Sequence, residues 1–174
     1  MKPIAAAVEW FGPRNLSWVH KSKHEGMYCA VGQTGKFLGK NRGPLFVGYG
    51  HPVKNAIGQL EKAKKKDMTD ETFEIWLGKI ISNAPAGMGK EEVHKLIRHA
   101  MVYALNTSLN EAIKNPPRRG VVIINQWTSG PGNDPETVWL EPPSPNWPDI
   151  VDCRDAAKLR LVWLKDGTVK KQRL

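Results

Sequence analysis

One stretch of this sequence carries a regular apolar pattern that any fold of the chain must bury. Beginning at Lys90, apolar residues recur every three or four positions, the spacing of one helix face: Val93, Leu96, Ile97, Ala100, Met101, Ala104 and Leu105. The pattern predicts a helix that runs as far as Lys114, where Asn115-Pro116-Pro117 would stop it. The fold must therefore cover one side of a long helix.

Short runs of β-branched and aromatic residues predict strands before this helix. Residues 8–11 and 16–20 flank a Gly-Pro-Arg-Asn tetrad, which favours a hairpin. Residues 26–31 and 45–49 also have the composition of buried strands. A Gly- and Lys-rich loop over 32–43 joins them, so we expect the two strands to pair antiparallel.

Further strands are predicted after the long helix. The continuous apolar run at 121–125 is typical of a strand buried on both faces. Residues 159–164 and 168–172 surround an Asp-Gly pair, which suits a tight turn and predicts a terminal hairpin. Between these elements the sequence is rich in Pro and Gly, with one short segment at 137–140.

Two more helices complete the prediction. Apolar residues at helical spacing predict a helix over 53–66, with Pro52 in its first turn. A second helix is predicted from Thr69, the capping residue, to about residue 81. The predicted fold class is thus α+β: a small antiparallel sheet flanked by three helices, with a β-rich C-terminal extension.

Size and composition indicate a single domain over 1–174, because compact domains of this length can bury a core. The longest apolar runs are far shorter than a membrane span. Glu9 interrupts the apolar N-terminus before it reaches the length of a signal sequence, and Cys29 and Cys153 form at most one bridge. We therefore expect a cytoplasmic protein with no membrane partner.

Charge favours a polyanionic partner. The chain has 26 Lys and Arg against 17 Asp and Glu, a formal net charge of +9. Lys36, Lys40 and Arg42 form a basic cluster in the loop between the first two buried strands. The tail over 158–174 has six basic residues and one acid, and Trp163 within it could supply a stacking platform for a phosphate-tracking strand.

Two motifs resemble the GIY-YIG nuclease superfamily. Gly26-Met27-Tyr28 lies in one predicted strand and Phe46-Val47-Gly48 in the next, followed by a helix, and Leu109-Asn110 ends the late helix. The resemblance covers a core at 25–125 and leaves 126–174 as a loop-rich extension ending in a β-hairpin. It implies a three-stranded antiparallel sheet flanked by helices, and a site that uses tyrosine, arginine and a glutamate-bound Mg²⁺.

The resemblance is degenerate at the positions that perform the chemistry. Tyr28 matches the first tyrosine of the family and Asn110 its late asparagine, but the second tyrosine is Phe46. The arginine position falls on Lys54 or Asn55. The position of the metal-binding glutamate falls on Arg98, which removes the oxygen ligand that Mg²⁺ requires, so neither a metal nor a cofactor is expected.

These observations lead to a functional hypothesis with two alternatives. The chain would be a catalytically degenerate GIY-YIG-fold protein that binds nucleic acid or another phosphate-bearing ligand. The alternatives are an active, Mg²⁺-dependent endonuclease and a phage or plasmid inhibitor that binds a host protein. His51 follows the second strand and is a further candidate contact. The predicted ligand-binding residues are Tyr28, Lys36, Lys40, Arg42, His51, Lys54, Arg98 and Asn110.

Overall fold

A computed structural model describes residues 2–33, 42–63, 73–111, 113, 115–130, 136–155, 158–165 and 167–173. Nine strands lie in this part of the chain: β1 (Ile4–Arg14), β2 (Gly26–Gly32), β3 (Gly43–Gly50), β4 (Phe73–Ile80), β5 (Val121–Thr128), β6 (Trp139–Leu140), β7 (Ile150–Asp152), β8 (Lys158–Trp163) and β9 (Thr168–Arg173). The helices described are α1 (Leu16–Lys21), α2 (Val53–Ala56), α3 (Gly58–Ala63) and α4 (Lys90–Leu105).

The nine strands form one mixed sheet in the order β3-β2-β4-β1-β5-β7-β8-β9, and β6 pairs with the end of β5. Strands β1 and β5 are parallel, and the other recorded pairs are antiparallel. The prediction of a small three-stranded antiparallel sheet flanked by three helices is therefore wrong. Strands β4 and β1 separate β2 from β5, so the strands predicted within the 25–125 core, at 26–31, 45–49 and 121–125, do not form a three-stranded unit.

The largest error concerns β4, which was predicted as a helix over 69–81. Residues 73–80 form a central strand that pairs with β2 on one side and β1 on the other. Phe73, Ile75 and Leu77 are buried on one face of the sheet, and Trp76 is buried on the other. A strand covered on both faces has a nearly continuous apolar sequence, which period alone does not distinguish from a helix. Residues 69–72 lie outside the described part of the chain.

The predicted N-terminal hairpin is also wrong, because residues 16–20 belong to helix α1. The side chain of Asn15 accepts a hydrogen bond from the Trp18 amide at 2.8 Å, which is the contact of an N-cap. Leu16 and Val19 are buried against the sheet. The turn-like tetrad thus ends a strand and begins a helix.

Several predicted elements are confirmed. Strands β2 and β3 pair antiparallel, and β8 and β9 form the terminal hairpin. The long helix begins at Lys90 as predicted but ends at Leu105, where Asn106 has the left-handed conformation at φ 48°. The helix predicted over 53–66 is found as two short helices, α2 and α3, within its described part.

Helices cover the two faces of the sheet unequally. Helix α4 packs on the first face, where it contacts a core that includes Trp10, Met27 and Ile123. Helices α1, α2 and α3 pack on the second face over β2, β3 and β4, around Tyr28 and Ile57. Every helix of the described residues is too short or too polar to cross a membrane.

Candidate functional site

Tyr28, the predicted tyrosine of the site, lies entirely within the core. Its ring stacks on Phe46 with centroids 5.8 Å apart, and its hydroxyl donates a hydrogen bond to the Ala56 carbonyl at 3.0 Å. Burial raises the pKa of the hydroxyl well above its usual range, although Arg98 acts in the opposite direction. The side chain therefore ties α2 to the sheet and presents no surface to a ligand.

Arg98 and Asn110 meet at the outer edge of β3, the last strand of the sheet. The Asn110 side chain accepts from the Val47 amide at 2.7 Å and donates to the Val47 carbonyl at 3.0 Å. Arg98 Nε donates to the same carbonyl at 3.2 Å, and the Leu109 amide donates to Leu45. These contacts satisfy backbone groups that an edge strand would otherwise leave exposed.

Replacing Asn110 with alanine is expected to lower the free energy of unfolding by about 2 kcal/mol, because both polar groups of Val47 lose their amide partner. Urea unfolding followed by tryptophan fluorescence measures this change. Asn106→Gly is the control, since glycine accepts the left-handed conformation found there. An Asn110→Ala protein as stable as the wild type would refute the edge-capping role.

The other predicted residues lie apart from this edge. His51 contacts the His94 ring, with centroids 4.9 Å apart, and its Nδ1 lies 3.8 Å from Glu25. Lys54 is exposed on α2, and Arg42 pairs with Glu74. Lys36 and Lys40 lie outside the described residues. The structure thus brings together Arg98 and Asn110, while His51, Lys54 and Arg42 occupy separate positions.

A different part of the molecule has the character of a binding surface. On the second face of the sheet, the helices stop over β1, and most side chains beyond it are exposed or half-exposed, although Thr128 and Asp152 are buried. Strand register places them in adjacent rows. We call this surface the open face; it comprises Ala5, Val122, Ile124, Gln126, Ile150, Lys158, Arg160 and Val162.

The open face has an apolar centre. Register aligns Ile124 with Ile150 and Ile150 with Val162, so these three side chains form one row across β5, β7 and β8. Ile124 is 36% exposed, which corrects the prediction of a strand buried on both faces. The alternate residues of the same strands, such as Ile123 and Leu161, are buried in the first core. The row is thus an uncovered apolar strip.

Tryptophan and basic residues surround this strip. Trp139 pairs with Thr128 at the end of β5, lies on the same face and is 69% exposed. Lys158 and Arg160 alternate with buried leucines along β8 and are exposed. Backbone register pairs them with Arg173 and Lys171 of β9. Asp152 is the acid next to Arg160, and its carboxylate is held by Arg154 at 2.7 Å.

A second exposed tryptophan lies at the margin of the open face. Trp18 is 42% exposed on α1, and the Arg14 guanidinium lies over its ring at 4.9 Å. Arg14 also donates to the carbonyl of Ser129, which directly follows Thr128, the residue of β5 that pairs with Trp139. The open face therefore carries Trp139 and Trp18 with Arg14 at one end, and Lys158 and Arg160 at the other.

Comparisons with protein families, with curated proteins and with solved structures gave no match to the chain. The resemblance to the GIY-YIG superfamily stays a prediction from the sequence, and the fold that it implies differs from the observed one. Among the described residues, no three His, Cys, Asp or Glu side chains are grouped as a metal site would require.

The exposed side chains of β8, which form part of the open face, can be predicted from the sequence. Lys158-Leu159-Arg160-Leu161 alternates polar and apolar residues, the pattern of a strand with one exposed face. Trp163, the predicted stacking platform, packs against the first core, and the tryptophan exposed on the open face is Trp139. Its position depends on the pairing of the two-residue strand β6 with β5, which no local pattern predicts.

Proposed function

We propose that the protein binds single-stranded nucleic acid on the open face. The observation that supports this most directly is the combination, on one uncovered sheet surface, of an exposed tryptophan, an apolar strip and a basic strand. Trp139 is 69% exposed, and the row of Ile124, Ile150 and Val162 crosses the sheet between the register level of Trp139 and that of Arg160.

Each part of this surface matches one part of a single strand. Bases that are not paired present flat apolar rings, which stack on aromatic side chains and cover apolar surface. Phosphates require cations, and Lys158 and Arg160 extend from β8 at the far side of the strip. A sheet face of this kind binds unstacked bases, whereas a duplex keeps its bases stacked inside.

Charge favours a nucleic acid over a protein partner for the same surface. The chain carries a formal net charge of +9, and four basic residues are paired by register in β8 and β9. The nearby carboxylate of Asp152 is paired with Arg154, a contact that lowers the pKa of that carboxyl. An approaching phosphate backbone therefore meets the exposed positive charges of Lys158 and Arg160 on β8.

Fluorescence anisotropy with labelled oligonucleotides tests this function. We expect a single strand of about 12 nucleotides to bind more tightly than the matching duplex. The logarithm of the affinity should fall with the logarithm of salt concentration at a slope of about −2 to −3, as expected for three or four phosphate contacts. Equal binding of single strand and duplex, or no binding at low salt, would contradict the proposal.

A further inference from the structure

A cavity of about 610 Å³ opens beside β1 and β4, in the half of the sheet away from β8 and β9. It lies between the end of β4, the segment before β2 and the first turn of α4. Its volume is that of a site for a small molecule. Polar and charged side chains lie around it together with apolar walls: His24, Glu25, Lys79, Lys90 and His94, with Phe11, Ile80 and Val93.

His24 is held as a neutral ring on one side of the cavity. Its Nε2 lies 3.2 Å from the Gly78 carbonyl, which only accepts hydrogen bonds, so this nitrogen carries the proton. The ring also meets Phe11 edge-on at 5.1 Å. Burial, the largest influence, lowers the pKa of His24, and the Gly78 carbonyl opposes it. Nδ1 is then the acceptor nitrogen of the ring.

His94 is held in a similar way on the other side. Its Nδ1 donates to the Lys90 carbonyl at 2.8 Å, which leaves Nε2 as the acceptor nitrogen. The ring is stacked on Tyr49 at 6.0 Å and touched by His51 at 4.9 Å. Burial is again the main reason that the pKa of His94 is lowered.

The charged groups around the two rings favour an anion. Lys79 and Lys90 line the cavity against one carboxylate, Glu25, which lies 3.8 Å from both Lys90 Nζ and His51 Nδ1. Protonation of His24 or His94 turns its acceptor nitrogen into a donor. A bound dianion would stabilise that protonated form, so the two buried rings would add donors when the anion enters.

We propose that this cavity binds a small organic molecule carrying a phosphate monoester, and that binding takes up protons. The phosphate would contact Lys79, Lys90 and the two imidazoles, while the apolar walls would contact the organic group. A phosphate monoester has a second pKa near 6, so it is a dianion at neutral pH. The pH dependence of the affinity follows from this charge. Histidines that are neutral in the empty cavity gain protons in the complex, so the affinity rises as pH falls.

Isothermal titration calorimetry with phenyl phosphate tests this site, with Lys79→Ala and Lys90→Ala as the variants and Lys95→Ala as the matched control. Lys95 is exposed on the same helix outside the cavity. We expect each cavity variant to weaken binding about tenfold and the control to leave it unchanged. Wild-type protein that binds no phenyl phosphate, or cavity variants that bind like the control, would overturn the site.

Two further titrations test the class of ligand and the uptake of protons on binding. Inorganic phosphate should bind more weakly than phenyl phosphate, and equal affinity would contradict an organic ligand. Between pH 7 and pH 8, where phenyl phosphate stays mainly a dianion, wild-type affinity should fall by about threefold or more. His94→Gln, which is neutral at every pH, should reduce this dependence, and an unchanged pH profile in that variant would refute the role of His94.

Discussion

Replacing Gly48 with alanine should lower the free energy of unfolding by about 3 kcal/mol, the upper part of the usual range for overpacking. A Cβ at this position would lie 2.5 Å from Tyr28 Cε1 and still closer to Cζ and the hydroxyl oxygen. The ring has little room to move, because it is fully buried, stacked on Phe46 and bonded to Ala56. Only glycine allows the ring to lie on the strand.

The same substitution at Gly58 is the control. A Cβ there would meet only the Glu61 carboxylate, at 3.8 Å, and alanine is a better helix former than glycine. We therefore expect Gly58→Ala to leave stability unchanged or to raise it by up to about 1 kcal/mol. Chemical denaturation of the two variants gives the comparison. Similar stability of Gly48→Ala and Gly58→Ala would show that the Tyr28 ring is not packed on Gly48.

Local pattern predicted the elements whose surroundings are simple. Strands β2 and β3, the terminal hairpin and the start of α4 each follow from a run or a period in the sequence, and each is found in the structure. The predicted end of α4, Lys114, lies beyond the observed one at Leu105. Asn106 ends the helix in the left-handed conformation, and the sequence around it does not strongly indicate a helix end.

Strand β4 could not be recognised from its period. The segment Phe-Glu-Ile-Trp-Leu-Gly-Lys-Ile has apolar residues at both helical and strand spacing. The partners on both sides decide the outcome, since β2 and β1 bond to it and both faces are covered. The resemblance implied the three-stranded sheet, and the helix predicted over 69–81 left out the strand that links β2 and β3 to the rest of the sheet.

The candidate surfaces depend on tertiary structure to different degrees. Alternation along β8 is visible in the sequence, so exposed Lys158 and Arg160 could have been predicted. The apolar row could not, because it needs the register of three strands that are distant in sequence. Likewise, His24 and His94 are 70 positions apart in the sequence, and only the tertiary structure brings them to the same cavity.

Trp139→Ala should weaken the binding of single-stranded nucleic acid by about tenfold, because stacking of one base on an aromatic ring contributes roughly 1–3 kcal/mol. The folded protein should be little affected, since Trp139 is 69% exposed. Leu140→Ala is the matched control. It lies in the same short strand but pairs with Trp127, so its side chain belongs to the other face of the sheet.

A second pair of variants, Arg160→Ala and Lys54→Ala, tests whether the basic strand β8 contacts phosphate. Arg160→Ala should weaken binding and reduce the steepness of the salt dependence by about 0.7, the value for one phosphate contact on a single strand. Lys54→Ala removes the same charge from α2, which lies on β3 at the far edge of the sheet. Because the sequence predicts Lys54 as a phosphate contact, this variant also tests the binding site that the sequence predicts.

The most direct test of the open face is the affinity of these four variants for one labelled single strand, measured side by side by fluorescence anisotropy. The structure predicts that Trp139→Ala and Arg160→Ala bind more weakly than the wild type, while Leu140→Ala and Lys54→Ala bind like it. If all four variants bind with wild-type affinity, or if Lys54→Ala loses more affinity than Arg160→Ala, nucleic acid does not bind on the open face.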